Sequence, residues 1–176
     1  KVSYGNHTGY EYEGCIIYDI HETGDGLGFF AELGMTLIKL YFADVRGLKP
    51  YVQWREDYVY YEPEGIDGEK NAFLHYFNPV SEVKSIDQAY YVLHQEVWHC
   101  EQVKKQFQAV SYEVSEEYVD AMARMLKKYI SYNDKISAYL NQEYEQLLGN
   151  KKTLAVHYRG TDFNKGFNNH PIPVRS

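Results

Sequence analysis

Two periodicities divide this chain. Short apolar runs bounded by glycine, proline or polar residues mark strands, and apolar residues three or four apart mark helices. Residues 14–19 form the first apolar run and predict a buried strand. A glycine-containing loop, Gly24-Asp25-Gly26-Leu27-Gly28, follows it. Apolar residues at 30, 33, 37, 38 and 41 then predict a helix over 29–44, which Gly47 ends. Residues 50–54 predict the second strand. Strand, glycine loop, helix and strand in this order open an α/β unit, and a crossover of that kind makes its strands parallel.

Two aromatic stretches come next, Tyr58 to Gly65 and Asn71 to Val80. Ser85-Ile86-Asp87-Gln88 predicts the start of a helical segment reaching about Leu93, with Asp87 suited to its first turn. Residues 98–110 predict a helix followed by an irregular stretch. Ser115 is placed to cap the clearest helix, whose first turn carries Glu116, Glu117 and Asp120. Apolar positions 119, 122, 126, 130, 136, 140, 144 and 147 trace a single stripe. One helix from Ser115 to Leu148 would be ~51 Å long at 1.5 Å per residue, too long for a domain of this size. A break is therefore expected near Ser131-Tyr132-Asn133-Asp134. Gly149 and Asn150 supply a stop, and Thr153 to Tyr158 predicts another buried strand left through a turn at Gly160-Thr161-Asp162.

The chain has 176 residues, enough for one well-packed domain, or for one domain and the start of another. Its formal charge of −7 argues against general nucleic-acid binding, which needs a basic face. An anionic ligand would have to be held locally. No window approaches the ~18 apolar residues of a membrane helix. Cys15 and Cys100 are far apart and lack metal spacing, so two reduced, buried thiols in a cytosolic protein are expected, and a disulfide between them has no support. His94, His99 and Cys100 are clustered but match no zinc pattern. The chain begins at Lys1 and stops at Ser176, just past its most informative stretch, and is expected to be part of a longer polypeptide.

That stretch ends the predicted strand 153–158. Ligands of open α/β sheets bind at the carboxyl ends of the strands, where Arg159 could grip an oxyanion with a planar five-donor fork. His157, two residues earlier, points to the same strand face as Arg159. Asp162 could orient the arginine or act as a base. An Arg and an Asp three residues apart at a strand end also form purely structural ion pairs, and spacing leaves both readings open.

The motif Val156-His157-Tyr158-Arg159-Gly160-Thr161-Asp162, followed by His170-Pro171-Ile172, resembles the His-x-Arg-x-x-Asp motif of GDP-fucose-dependent fucosyltransferases, above all the α1,6-fucosyltransferase and Nod-factor group and bacterial sequences like them. Gly24 to Phe30 resembles the glycine-rich first loop of those enzymes, and Asn71 to Val80 an aromatic segment of the bacterial members. The resemblance implies one part of a GT-B glycosyltransferase with a Rossmann-like open sheet and flanking helices. Residues 1–150 would form the acceptor-side α/β domain, and 151–176 the first strand and loop of the donor-binding domain, whose remainder lies beyond this sequence. It implies inverting, metal-independent transfer of fucose from GDP-fucose to a glycan, with no cofactor.

By the same correspondence Arg159 binds the leaving diphosphate and Asp162 is its catalytic companion. His157, Gly160, Thr161 and His170 belong to the donor pocket, with Gly26 and Gly28 on the first loop. Gly26 and Gly28 serve equally in a tight turn, and Gly-x-Gly-x-Gly is not the dinucleotide fingerprint. Some relatives carry a second arginine where Gly160 stands, and no carboxylate follows Asp162. The base could be Asp162, His170, or a residue outside this sequence. Trp54, Tyr60, Tyr61, Tyr76 and Phe77 are candidates for an acceptor platform, since rings stack on sugar faces, although such rings also serve as core. Other classes remain: a non-catalytic carbohydrate- or nucleotide-binding domain, or an unrelated α/β enzyme using a phosphate ester. A cytoplasmic location, or one peripheral to the membrane, is expected.

Overall fold

A computed structural model describes residues 2–4, 15–22, 24, 26–108, 114–149 and 151–154. The chain divides into two compact units, Lys1–Ala138 and Tyr139–Ser176. The first is built on a four-stranded open sheet. Strand β1 (Val2–Tyr4) pairs antiparallel with β4 (Tyr91–His94), and β4 pairs parallel with β2 (Ile16–His21), which pairs parallel with β3 (Lys49–Gln53). The order is β1-β4-β2-β3, so β2 is flanked by its two successors in the chain. Helix α1 (Phe29–Asp44) connects β2 to β3. Three parallel strands, one antiparallel edge strand and four α-helices among the described residues make an open-sheet α/β fold, consistent with a Rossmann-like one.

Side chains alternate across a strand, and the register fixes which ones share a face. Tyr18, Ile20, Val52, Trp54 and Leu93 point to the side covered by α1, where the main core lies. Tyr18, Ile20, Leu40, Trp54 and Phe73 are fully buried there. At the far end of α1, Gly47 adopts φ +63° and the Leu48 amide donates to the Ala43 carbonyl at 3.0 Å, which turns the chain into β3. Helix α2 (Val97–Gln106) and helix α3 (Glu116–Tyr129) both pack on α1. Ile17, Val83, Ala89 and Val92 form a smaller cluster on the opposite face.

The expected helix over 85–93 is not formed. A single 3₁₀ turn at Ile86–Gln88 leads instead into β4. Tyr91, Val92 and Leu93 are aromatic, β-branched and apolar residues that suit a pleated, half-buried position. Pairing with β1 on one side and β2 on the other outweighs the local helical start at Ser85. β1 lies in residues 2–4, where the apolar periodicity predicts no element.

The expected break near Ser131 is present, between α3 and helix α4 (Asp134–Leu147). It is fastened by side chains, chiefly Asn133. Its Nδ2 donates to the Leu74 and His75 carbonyls at 3.0 and 3.1 Å, and its Oδ1 accepts the Ile136 amide at 2.9 Å, capping α4. Asn78 returns two bonds to Ser131 Oγ and the Tyr132 carbonyl. Ser115 caps α3 as expected, accepting from the Tyr118 amide at 3.2 Å.

The expected apolar stripe is borne out at Met122 and Ile130, which pack against the core, and is corrected elsewhere. The side of α3 turned to the core carries Tyr118, Ala121, Met122, Met125 and Tyr129, whereas Val119 and Leu126 are exposed. The reason is angular: the inward row is set by small Ala121 and flexible Met125 fitting against α1, one residue round from the β-branched and leucine positions. In the second unit, Leu140, Tyr144 and Leu147 are exposed. Thr153 and Leu154 are not in a strand, and the rest of the expected strand to Tyr158 lies outside the described residues. No helix among the described residues is long and apolar enough to cross a membrane.

Candidate functional site at the carboxyl edge of the sheet

Ligands of open α/β sheets bind where the strand order reverses, outside the carboxyl ends of the strands. Here the chain runs from β2 to β3 on one side and then crosses to β4 on the other. The carboxyl ends of β2 and β4 therefore flank a switch point. A cleft of about 290 Å³ opens there, lined by His21, Glu22, Met35, Lys39, Asp57 and the start of α2 from Gln95 to Val97, with Cys100 and Glu101 behind. A larger cavity of about 410 Å³ runs along β3 between Pro50 to Val52 and residues 69–84, away from this edge.

The cleft's floor is tied together by backbone bonds that extend the strands. The Gln95 amide donates to the Asp19 carbonyl at 3.0 Å, while Gln95 Oε1 accepts the His21 amide at 3.3 Å. Glu22 is buried and accepts the Arg55 amide at 2.8 Å, linking the ends of β2 and β3. Lys39 of α1 is also buried; its Nζ donates to the His21 carbonyl at 2.6 Å and lies 3.8 Å from Glu32 in the first turn of the same helix. Glu32 thus combines an ion pair with the position that the helix dipole favours for an anion.

Beside this floor, on the sheet face away from α1, four polar side chains converge. Asp19 pairs with His94 across one strand boundary, and His21 with Gln53 across the other. The Asp19 side chain is only 4% exposed. Its Oδ1 accepts from Gln53 Nε2 at 2.5 Å and its Oδ2 lies 2.9 Å from His94 Nδ1. His21 Nδ1 is 3.8 Å from the same Oδ2, too far for a hydrogen bond, and is buried without a hydrogen-bond partner. Burial pushes the Asp19 carboxyl upward, but its neighbours His21, His94 and Gln53 together outweigh burial and hold it below its ordinary value. Asp19 is thus a buried anion surrounded by donors. No group of three or more His, Cys, Asp or Glu side chains among the described residues is arranged to hold a metal ion.

His99 lies deeper, stacked on Phe42 with ring centroids 4.2 Å apart. Its Nδ1 is 2.8 Å from Tyr18 Oη and accepts the Glu96 amide at 3.2 Å. Burial pulls this imidazole below its usual value and pushes the Cys100 thiol up. Both cysteines are free; Cys100 is buried and Cys15 is half-buried rather than buried.

The residues expected to act are distributed unevenly. His157, Arg159, Gly160, Thr161, Asp162 and His170 lie outside the described residues. Gly26 and Gly28 are exposed on the loop leaving the carboxyl end of β2. Gly26 has φ +64°, a conformation that favours glycine. Gly28 is the N-cap of α1 with extended backbone, and a Cβ there would meet nothing within 4 Å. Of the proposed acceptor platform, Trp54 and Phe77 are corrected to core residues. Trp54 is fully buried, donates from Nε1 to Thr36 Oγ1 at 3.2 Å, and packs edge-on against Phe29 and Phe73. Phe77 is 3% exposed and stacks on Tyr132. Only Tyr60 of that set is largely exposed, with Tyr61 and Tyr76 half-buried.

Asp19, His21, Gln53 and His94 were not singled out from the sequence as a site. The available signal was Asp19-x-His21, an acid and a histidine on one face of a strand just before a glycine loop; Gln53 and His94 join them only through the parallel pairing. Comparison of the chain with protein-family models, with curated proteins and with solved structures found no match.

Proposed function

We propose that this chain is the acceptor-side part of an inverting, metal-independent glycosyltransferase that moves fucose from GDP-fucose to a glycan, with residues from 151 onward opening the donor-binding part. The observation that carries the reading is the charge of the cleft at the switch point. Glu22, Asp57, Glu96 and Glu101 line it against the single lysine Lys39. Such a lining repels a nucleotide diphosphate and suits a neutral ligand rich in hydroxyls, whose O–H groups donate to carboxylates. A cleft of this character fits the acceptor, and leaves the anionic donor to the Arg159 motif. Exposed Tyr60 offers a ring to a sugar face.

The chemistry requires the acceptor hydroxyl to attack the anomeric carbon as the bond to the diphosphate breaks. Negative charge grows on the departing GDP, and Arg159 would neutralise it in place of a metal; a preorganised donor of this type is worth ~3–4 kcal/mol. His157, Gly160, Thr161 and His170 would belong to the donor pocket. Asp162 would orient the arginine or take the hydroxyl proton.

A thermal-shift panel of GDP, GDP-fucose, UDP-sugars and simple phosphates tests the reading, because a ligand that binds only the folded state raises its melting temperature. Selective stabilisation by the GDP compounds is expected. Equal response to every phosphate would favour a phosphate-ester enzyme of another kind, and no response to any nucleotide would leave a carbohydrate-binding domain. Arg159→Ala should lower turnover at least ~100-fold, and turnover within a few-fold of the parent would remove Arg159 from the mechanism.

A further inference from the structure

We propose that His99 is a pH-sensitive latch for one wall of the cleft: protonation of its ring unseats the first turn of α2 and opens the cleft in acid. This holds whatever the cleft binds. The wall is the start of α2, where Gln95, Glu96 and Val97 line the cleft. Two devices hold it in place. Gln95 ties it to the end of β2, its amide donating to the Asp19 carbonyl and its side chain bonding the His21 amide and the Glu22 carbonyl. His99 holds it from inside the fold through a reciprocal cap. The Glu96 side chain accepts the His99 amide, and the His99 ring accepts the Glu96 amide.

The protonation state of the ring follows from its partners. A backbone amide can only donate, so Nδ1, 3.2 Å from the Glu96 nitrogen, is the nitrogen without a proton. The Tyr18 hydroxyl, 2.8 Å away, therefore donates to Nδ1 as well. The proton of the neutral ring sits on Nε2, which is buried without a hydrogen-bond partner among the described residues. The residue as a whole is 1% exposed. A proton added at Nδ1 would meet the Glu96 amide donor to donor, and the cap is lost. Tyr18 alone could turn its hydroxyl to accept.

Among the described residues, the titratable and charged groups around the ring are Tyr18 from β2, Arg46 from the end of α1 and Glu96 from the start of α2. His99 stacks on Phe42, and the Arg46 guanidinium lies 3.8 Å from the centre of that same Phe42 ring. Two contacts so close take opposite faces, so a fixed cation already stands across one ring from His99. Burial pulls the imidazole below its ordinary value, and Arg46 adds to this against the opposing pull of Glu96. The folded ring thus binds a proton less readily than a ring released to water. The closed turn is fully favoured above the ordinary value of ~6.5 and loses ground as pH falls below it. Opening hydrates the charged ring, gives Nε2 a partner in water and carries Glu96 and Val97 away from the cleft. Such a release is local, since the core packing of α1 on the sheet does not depend on it.

Backbone hydrogen exchange of the chain, read residue by residue between pH ~7.5 and ~5 and corrected for the intrinsic pH dependence of exchange, tests the latch. Opening at the Glu96 and His99 amides should rise by up to ~10-fold per pH unit below ~6.5, while amides of α1 and β2 keep their protection. His99→Gln keeps an acceptor for the Glu96 amide but cannot titrate, so its acid response at α2 should vanish. Ring nitrogen shifts of the parent test the same point with no substitution. They should show the Nε2–H tautomer at neutral pH, and charging of the ring only as the turn opens. Acid-independent protection of the first turn of α2 in the parent overturns the proposal. So does an equal acid response in His99→Gln, a loss of α1 and β2 protection in step with α2, or a neutral ring carrying its proton on Nδ1.

Discussion

On the face of the sheet covered by α1, Tyr18 and Ile20 of β2 run beside Val52 of β3 and lead to Trp54, all of them at most 3% exposed. On the other face, one residue along, Ile17 gives way to Asp19 and His21, and Val92 gives way to His94. The strands and their hydrogen bonds are the same. Only the alternation of side chains differs, apolar throughout on one face and changing from apolar to polar halfway along the other. The change falls at the carboxyl edge, beside the cleft. A buried carboxylate costs several kcal/mol unless it is paired and hydrogen-bonded. A hydrophobe at position 19 would have extended the small cluster of Ile17 and Val92 without that cost. The fold holds Asp19 with three polar neighbours instead, so one face of the sheet supplies cohesion and the other supplies a fixed charge.

The sharpest way to break this comparison is at Trp54. Its ring fills the centre of an aromatic group with Phe29, Tyr58, Phe73 and Phe77. Trp54→Ala should destabilise the protein by ~3–5 kcal/mol, as large-to-small changes of a buried aromatic do. Urea unfolding measures it. A loss below ~1 kcal/mol would mean that Trp54 is not core and would reopen its candidacy as a sugar platform.

The apolar face was legible in the sequence and the polar half was not. Residues 14–19, 29–44 and 50–54 announce themselves because each buries a face whose period shows locally, and the elements form within two residues of those limits. The break before α4 was legible because a helix of unbroken length would not fit. β4 was hidden because Ser85-Ile86-Asp87 offers a good local helix start, while the strand depends on partners about 75 residues away in the chain. The polar cluster was hidden for the same reason: Asp19 and His94 meet only once β2 and β4 lie side by side in register. Trp54 misled because an aromatic near a strand end looks alike whether it faces a ligand or the core, and only the alternation Tyr51, Val52, Gln53, Trp54 decides.

The next effect in size is at Asp19 and carries a pH signature. Asp19→Asn keeps the shape but removes the charge that Gln53 and His94 bond to, and should cost ~1.5–3 kcal/mol near neutrality, the range for a hydrogen bond to a charged group. Because the folded carboxyl is held below its ordinary value of about 3.9, the folded state binds the proton less readily than the unfolded chain. The contribution is therefore fully present above that unfolded value and is lost as pH falls through the folded one. Parent and variant should differ by a constant amount at mildly acidic and neutral pH and converge below pH ~4. Thermal or urea unfolding across that range measures the gap. A gap that widens with acid would show that Asp19 is stabilised in its neutral form and is not the fixed charge inferred here.

The smallest effect tests whether the amino half of the polar face is an ordinary small core. Ile17 is fully buried with Val83, Ala89 and Val92, and Asp19 is the next side chain along on the same face. Removing one methyl group by Ile17→Val should cost ~0.5–1.5 kcal/mol, the usual range for that deletion. If the cluster only fills space, the cost is independent of the carboxylate next to it, and Ile17→Val combined with Asp19→Asn should destabilise by the sum of the single changes within ~0.5 kcal/mol. If the packing of Ile17 also sets the position of Asp19, the two changes share a cause and the double variant should lose less than the sum. In that case Ile17→Val alone should already shift the acid limb of the unfolding profile, even though it touches no titratable group. Additivity with an unmoved acid limb would separate the two halves of this face, with cohesion residing in Ile17 and Val92 and the charged arrangement in Asp19, Gln53 and His94.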